Sequence, residues 1–449
     1  MTHLTAHTHV SCADEGKSVS MLFTHKLQSH PHVHHYPLSI YLLLQADSKS
    51  AKLVFGGTSL RKRNIVKGVR GKKERISAVI VPQGVEIIAD EAFKGCIRLT
   101  WVTLPTSLTT VGARAFQHCR LLNSVTLPAN LTSVSCNAFN GCAGLTSLAL
   151  PQTLTHISES AFQGCVRLTS LTLPAAVNTV EESAFQGCRS ITSLILPHNL
   201  HFVDDHAFKD CAGLTSLTLP ASTTTVGVAA FKGCSGLASI ALPQTLTSIS
   251  RSAFRDCSGL SSVIIPETVT AIGSRAFSGC RQLTSLTFPT TLTDLLGYTF
   301  AYCERLTSLV LPGSLTSVSP SEFSGCFRLT EIVFPDSLTS ISPHAFFGCS
   351  GLTSLTLPHK LTTFGDRAFH NCTGLTSVVF RPSASCSFIV WAVGDSRNRT
   401  NWQLTTLKQL RNVLRLVMVF AVEYRDMTTV LKPSTIEKAF MGCTSLNIL

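Results

Sequence analysis

The stretch PQTLTHISESAFQGCVRLTSLTL, Pro151 to Leu173, is one copy of a pattern that the chain repeats without drift. Thirteen cysteines recur every 23 residues: Cys96, Cys119, Cys142, Cys165, Cys188, Cys211, Cys234, Cys257, Cys280, Cys303, Cys326, Cys349 and Cys372. A phenylalanine stands three places before each, from Phe93 to Phe369, and a proline keeps the same interval from Pro82 to Pro358. One extra residue in a core turn would throw the next turn out of register. Spacing this constant therefore means that equivalent units stack on one another, the mark of a solenoid.

Within the unit, Leu168-Thr169-Ser170-Leu171-Thr172-Leu173 alternates apolar and small polar residues over its last four places. That pattern predicts a short strand with every second side chain buried, and the following proline ends it. Leu154 and Ile157, followed by Ala161-Phe162, suit a tight irregular or 3₁₀-like return on the opposite side. One turn has too little apolar surface to offset the entropy of ordering it, whereas stacked turns share a continuous core. The expected fold is an α/β-type repeat solenoid with a parallel sheet on one side and an irregular or 3₁₀ opposite side.

Written out, the pattern L-x-x-L-x-L-P-x-x-L-T-x-I-x-x-x-A-F-x-G-C resembles the BspA-like leucine-rich repeat family over about residues 76–380. The resemblance implies a curved solenoid whose parallel sheet lines the concave face, used to bind proteins or surfaces and, in several members, for adhesion. It brings no catalytic motif, and no cofactor or metal is expected. Members differ widely in partner, so the likeness narrows the class and little more.

The net charge of +12 suggests a polyanion partner, but it is unevenly placed. Residues 1–75 hold 12 Lys/Arg against 4 Asp/Glu, residues 76–380 hold 16 against 17, and residues 381–449 hold 9 against 4. The repeats are close to neutral, so nucleic-acid binding cannot rest on them. A polyanion-binding or nuclear-import reading rests instead on Arg61, Lys62, Arg63, Lys67, Arg70, Lys72, Lys73 and Arg75.

The periodic thiols fall at a core position, where cysteine serves as a small apolar filler. An in-register column points its side chains the same way, which disfavours disulfides, and no C-x-x-C pair supports zinc. Cys136 falls on an exposed repeat position, and Cys12 and Cys386 lie outside the repeats, so these are the candidates for surface oxidation. His30, His32 and His34 alternate, but without a defined cage they read as part of a polar leader. Thr223 replaces a core leucine and is expected to be the weak point of the stack.

Four regions follow: a disordered histidine-rich and basic leader over 1–75, the solenoid over 76–380, a helical insertion or cap over 381–432, and a truncated last repeat over 433–449. Lys52 to Phe55 and Ile65 to Val69 are the apolar pieces close enough to cover the first coil. In the insertion, Leu404, Leu407, Leu410, Leu414, Val417 and Ala421 recur at helical spacing, with Lys408, Arg411 and Arg415 off that stripe. No secretory signal and no run long enough to span a bilayer is visible, which favours an intracellular address; the family resemblance points to the cell surface instead.

The outward strand positions are hydroxyls and small or apolar groups, with Glu331 as the charged exception. General acid–base or nucleophilic chemistry cannot be built from such a set. Leu296, Tyr298, Tyr302, Phe327 and Phe347 instead replace small or polar residues in three adjacent units, on the irregular side. They form either a protein-docking patch or a local repacking of a divergent stretch. The reading is a non-enzymatic, protein-binding scaffold, with a cell-surface adhesin or a polyanion-binding protein as alternatives.

Overall fold

Because each unit ends in an alternating strand and begins with an apolar turn, the same backbone pieces meet every 23 residues. The computed structural model describes residues 73–81 and 83–380, together with the strand segments Leu42–Asp47, Ser50–Phe55 and Ser59–Leu60. Counted from each proline, coils 1 to 13 run from 82–104 to 358–380.

Two parallel ladders hold the coils together. The longer strands pair in register one unit apart, as Ser170 with Ser193, Leu171 with Leu194 and Thr172 with Ile195. A second ladder of two-residue strands pairs His156 with Thr179 and Ile157 with Val180, then continues to Phe202–Val203 and Thr225–Val226. Threonine hydroxyls reinforce the first: Thr100 Oγ1 donates to the Ser77 carbonyl at 2.8 Å, and Thr169 and Thr192 repeat the contact three and four coils further along the series.

On the third side the alternate N–H groups bond forward to the next coil. Phe93 N–H donates to Ala115 O at 2.7 Å and Gly95 N–H to Gln117 O at 2.8 Å, and Phe116, Phe139 and Phe162 repeat the first contact. Each coil places two residues here at positive φ, for instance Ser160 at 53° and Gly164 at 72°. The return is thus neither 3₁₀ nor α-helical. No α-helix occurs among the described residues, where the single helical turn is the 3₁₀ segment Lys73–Arg75. The α/β expectation is corrected to a parallel β-solenoid, because left-handed turns bring backbone donors to the neighbouring coil more directly than a helix could.

The core is two columns laid side by side. The rings from Phe93 to Phe369 stack with centroids 5.0–5.9 Å apart and planes within 16° of parallel. Beside them the cysteines lie buried as free thiols. From Cys119 to Cys372, each Sγ donates to the phenylalanine carbonyl of the preceding coil at 3.1–3.5 Å. That same carbonyl accepts its own coil's cysteine N–H, as Phe93 O does from Cys96 at 3.1 Å. Cysteine therefore does two things alanine could not: it fills the column and occupies a second carbonyl lone pair.

Burial pushes the Cys96 thiol up to about 11 and that of Cys326 up to about 12, and raises Cys165, Cys188 and Cys257 well above the ordinary value. Thiolate is the reactive form, so these columns are silent towards alkylation while folded. Brief alkylation of the native protein at mildly alkaline pH, mapped by peptide mass, should modify exposed Cys136 and spare Cys96 to Cys372. Modification of the column without denaturant would contradict this packing.

Ahead of the repeats, Leu42–Asp47 pairs antiparallel with Ser50–Phe55, which pairs parallel with Ile76–Ile80, while Ser59–Leu60 pairs with Ile87–Ile88. Of the two apolar pieces expected to cover the first coil, Lys52–Phe55 lies in this added strand, which covers the ladder edge. Thr223 is fully buried but is not an unsatisfied polar group, because its Oγ1 donates to Leu200 O at 2.9 Å. The histidine tract, Ile65–Val69, Cys12, Cys386, the helix expected within 381–432 and the last repeat lie outside the described residues.

Candidate functional site

The turn side carries the residues that depart most from the repeat. Its two left-handed columns are set by the backbone path, and the second is glycine in most coils, such as Gly141, Gly164, Gly187 and Gly233. Glycine enters this region freely, whereas a bulky L-residue does so at a cost of roughly 1–2 kcal/mol. Coil 10 nevertheless places Tyr298 at φ 67° and Tyr302 at φ 62°. Backbone bonds hold both: Tyr298 N–H donates to Pro320 O at 3.0 Å and Tyr302 N–H to Ser324 O at 2.7 Å.

The side chains point outward. Leu296 is 52% exposed, Tyr298 40%, Tyr302 52% and Phe327 48%, whereas Phe347 is half-buried. The Arg275 guanidinium lies 4.7 Å from the Tyr298 ring centroid, a cation–π contact from the coil before. Tyr302 lies over Gly325, where a Cβ would stand 2.7 Å from its Cδ1; Phe327 lies near Gly348, at 3.8 Å by the same measure. Phe347 sits between the rings of His344 and His370, with centroids 5.7 and 5.3 Å away. Coils 10, 11 and 12 thus carry aromatic side chains that lean successively onto the next coil.

The outward columns of the long ladder behave as read: Ser170 and Thr172 are exposed and Leu171 is buried between them. Ile195, Ile264 and Val310 add exposed apolar groups, 57%, 75% and 65% accessible, and Trp101 joins the face at 36%. Between Ser285–Thr287 and Ser308–Val310 the ladder is interrupted and a shallow cavity of about 420 Å³ opens, lined by Leu286, Phe288, Leu309 and Pro312. Glu331 is exposed and stands apart from any acid–base partner on its strand. Of the basic run, Arg61, Lys62, Arg63, Lys67, Arg70 and Lys72 lie outside the described residues. Lys73 and Arg75 stand in the 3₁₀ turn, where Lys73 Nζ donates to Lys94 O at 2.9 Å. Among the described residues, no group of three or more His, Cys, Asp or Glu is placed to hold a metal, and no helix is long and apolar enough to cross a membrane.

Two residues with physical consequence escape the sequence reading: Thr299 and Glu322, both fully buried. The signal was present, since each stands where the unit otherwise has the alanine before its core phenylalanine.

Comparison with known proteins agrees with this architecture. A family model described as BspA type leucine rich repeat region (6 copies) matches residues 71–192, 178–307 and 297–389. No curated protein matches the chain. Among solved structures, a leucine-rich repeat protein from Bacteroides ovatus is similar at 24% identity and TM-score 0.63, over 78% of this chain and 90% of that one. Another from Eubacterium ventriosum is similar at 22% identity and TM-score 0.52, over 78% of this chain and 95% of its own. At these identities the likeness concerns the fold alone.

Proposed function

The chain belongs to the BspA-type leucine-rich repeat family, and from that premise we propose that it is a non-enzymatic protein-binding scaffold whose docking surface is the aromatic patch of coils 10 to 12. One observation carries the reading. Tyr302 occupies, at a conformational cost, a left-handed position that glycine fills in neighbouring coils, and its ring is half exposed. Where other coils depart from glycine at this position they use the polar residues His118, Asp210, Asp256 and Asn371, so the half-exposed ring is the departure, and strained positions of this kind cluster at functional surfaces. Together with Leu296, Tyr298, Phe327 and the edge of Phe347, it offers the aromatic composition of an interface centre. The partner it suits is a protein presenting an apolar segment, held against the rings and flanked by Arg275. The reading includes a curved stack with the long ladder on its concave side, so that the patch faces outward.

The double change Tyr298→Ser with Tyr302→Gly should abolish capture of the partners that the unaltered full-length chain retains from the same cells. Its midpoint of unfolding should not fall, since glycine relieves the left-handed strain. Ile264→Ser, on the ladder face, should leave capture as it was. Retention of every partner by the double variant would remove the patch from the proposal.

A further inference from the structure

The alanine before each core phenylalanine is buried in eleven coils, from Ala92 to Ala276 and again at Ala345 and Ala368. Coils 10 and 11 interrupt that column in succession, with Thr299 and then Glu322. Thr299 has a single hydroxyl proton, directed at the carbonyls of Leu296 and Gly273. Neither oxygen of the Glu322 carboxyl makes a well-aligned hydrogen bond, and the Thr299 hydroxyl and backbone beside it only partly offset the burial. The groups that face it are uncharged: Thr299 and the Cys303 thiol from coil 10, Cys326 from its own coil, and Ala345 at the same position of coil 12. No cation compensates the carboxylate it would form.

The short ladder is interrupted at the same junction. Asp294–Leu295 of coil 10 pairs back with Ala271–Ile272 and Ser317–Val318 of coil 11 pairs forward with Ser340–Ile341, but the two are not laddered to each other. Other breaks occur along this ladder, but this one falls between the coils that carry Thr299 and Glu322. We propose that the junction of coils 10 and 11 is a proton-controlled opening point of the solenoid, shut while the Glu322 side chain is neutral and loosened when it ionises.

The sign follows from burial, which raises the Glu322 carboxyl well above the ordinary 4.5. The closed form holds its proton more tightly than the open one. Closure is therefore fully favoured below the ordinary carboxylate value and weakens as pH rises towards the raised one. The consequence rests on the docking proposal, because the Tyr302 ring lies across the same junction on Gly325. Opening would separate Tyr298 and Tyr302 of coil 10 from Phe327 of coil 11.

Residue-resolved hydrogen exchange of the full chain tests the device without any partner, so its failure and that of the docking reading are distinguishable. The reporters are the N–H groups of Phe300 and Tyr302, which donate to Glu322 O and Ser324 O; the controls are Phe208 and Asp210, which donate to Ala230 O and Lys232 O. After correction for intrinsic exchange, protection at the reporters should fall at least about tenfold between about pH 5.5 and about pH 8, and stay constant at the controls. Glu322→Ala, which restores the residue of the other coils, should remove the slope, and Glu322→Gln should remove it too. PH-independent protection in the unaltered chain, or a slope that survives Glu322→Ala, would overturn the proposal.

Discussion

Phe231→Ala should destabilise the solenoid by about 3–5 kcal/mol, the range for emptying a buried aromatic site. Its ring is fully buried between Phe208 and Phe254, with centroids 5.5 and 5.7 Å away, so the loss falls on two coil interfaces at once. Stacked aromatic pairs add roughly 0.5–1.5 kcal/mol each beyond the area they bury. In a one-dimensional array each coil is stabilised by its neighbours, so a gap in the middle divides the array. Chemical denaturation of the variant should then show a lower midpoint and two separable transitions. A shift under about 1 kcal/mol would mean that the phenylalanine column is not what binds coil to coil.

Glu322→Ala should act in the opposite direction. A carboxyl buried without a well-aligned hydrogen bond costs up to about 1–3 kcal/mol even when neutral, judged from mutational data. Alanine is the residue that this column accepts in coils 9 and 12, as Ala276 and Ala345. The gain should grow with pH above the ordinary carboxylate range, because the folded chain then bears the added cost of keeping the acid protonated or burying its charge. Unfolding measured at acid and at mildly alkaline pH should give a pH-dependent gap between the two proteins. A variant less stable than its parent at both would show that the carboxyl has a partner that supports the fold.

Much of this molecule is legible in its residues because the repeat turns packing into arithmetic. A cysteine or phenylalanine found at one phase of the period is buried at every instance of that phase, and Phe93 to Phe369 and Cys96 to Cys372 behave accordingly. The return path was harder to read. A two-residue strand such as Thr179–Val180 is too short to show alternation, and its pairing exists only once the next coil is laid beside it. Left-handed turns carry no strict signature either, since Glu91, Arg114 and Ser160 adopt them as well as Gly164. Thr223 looked costly because side-chain chemistry was visible while the Leu200 carbonyl that receives its proton was not. Glu322 was the reverse: its chemistry was plain, and only alignment to the alanine column reveals that it faces the core. The aromatic patch was readable as a departure from consensus, but Phe347 proves half-buried between two histidines.

The bond from each cysteine sulfur to the carbonyl one coil back has a meaning for how such chains change in length. If residues 220–242 were excised, the Cys257 sulfur would meet the Phe208 carbonyl just as Cys234 does now at 3.3 Å. Every junction is interchangeable with the next in this respect. Whole units can be gained or lost in one genetic event, while a single-codon slip inside a unit shifts the two halves of the molecule out of step. The fold fixes the rung and leaves the number of rungs open.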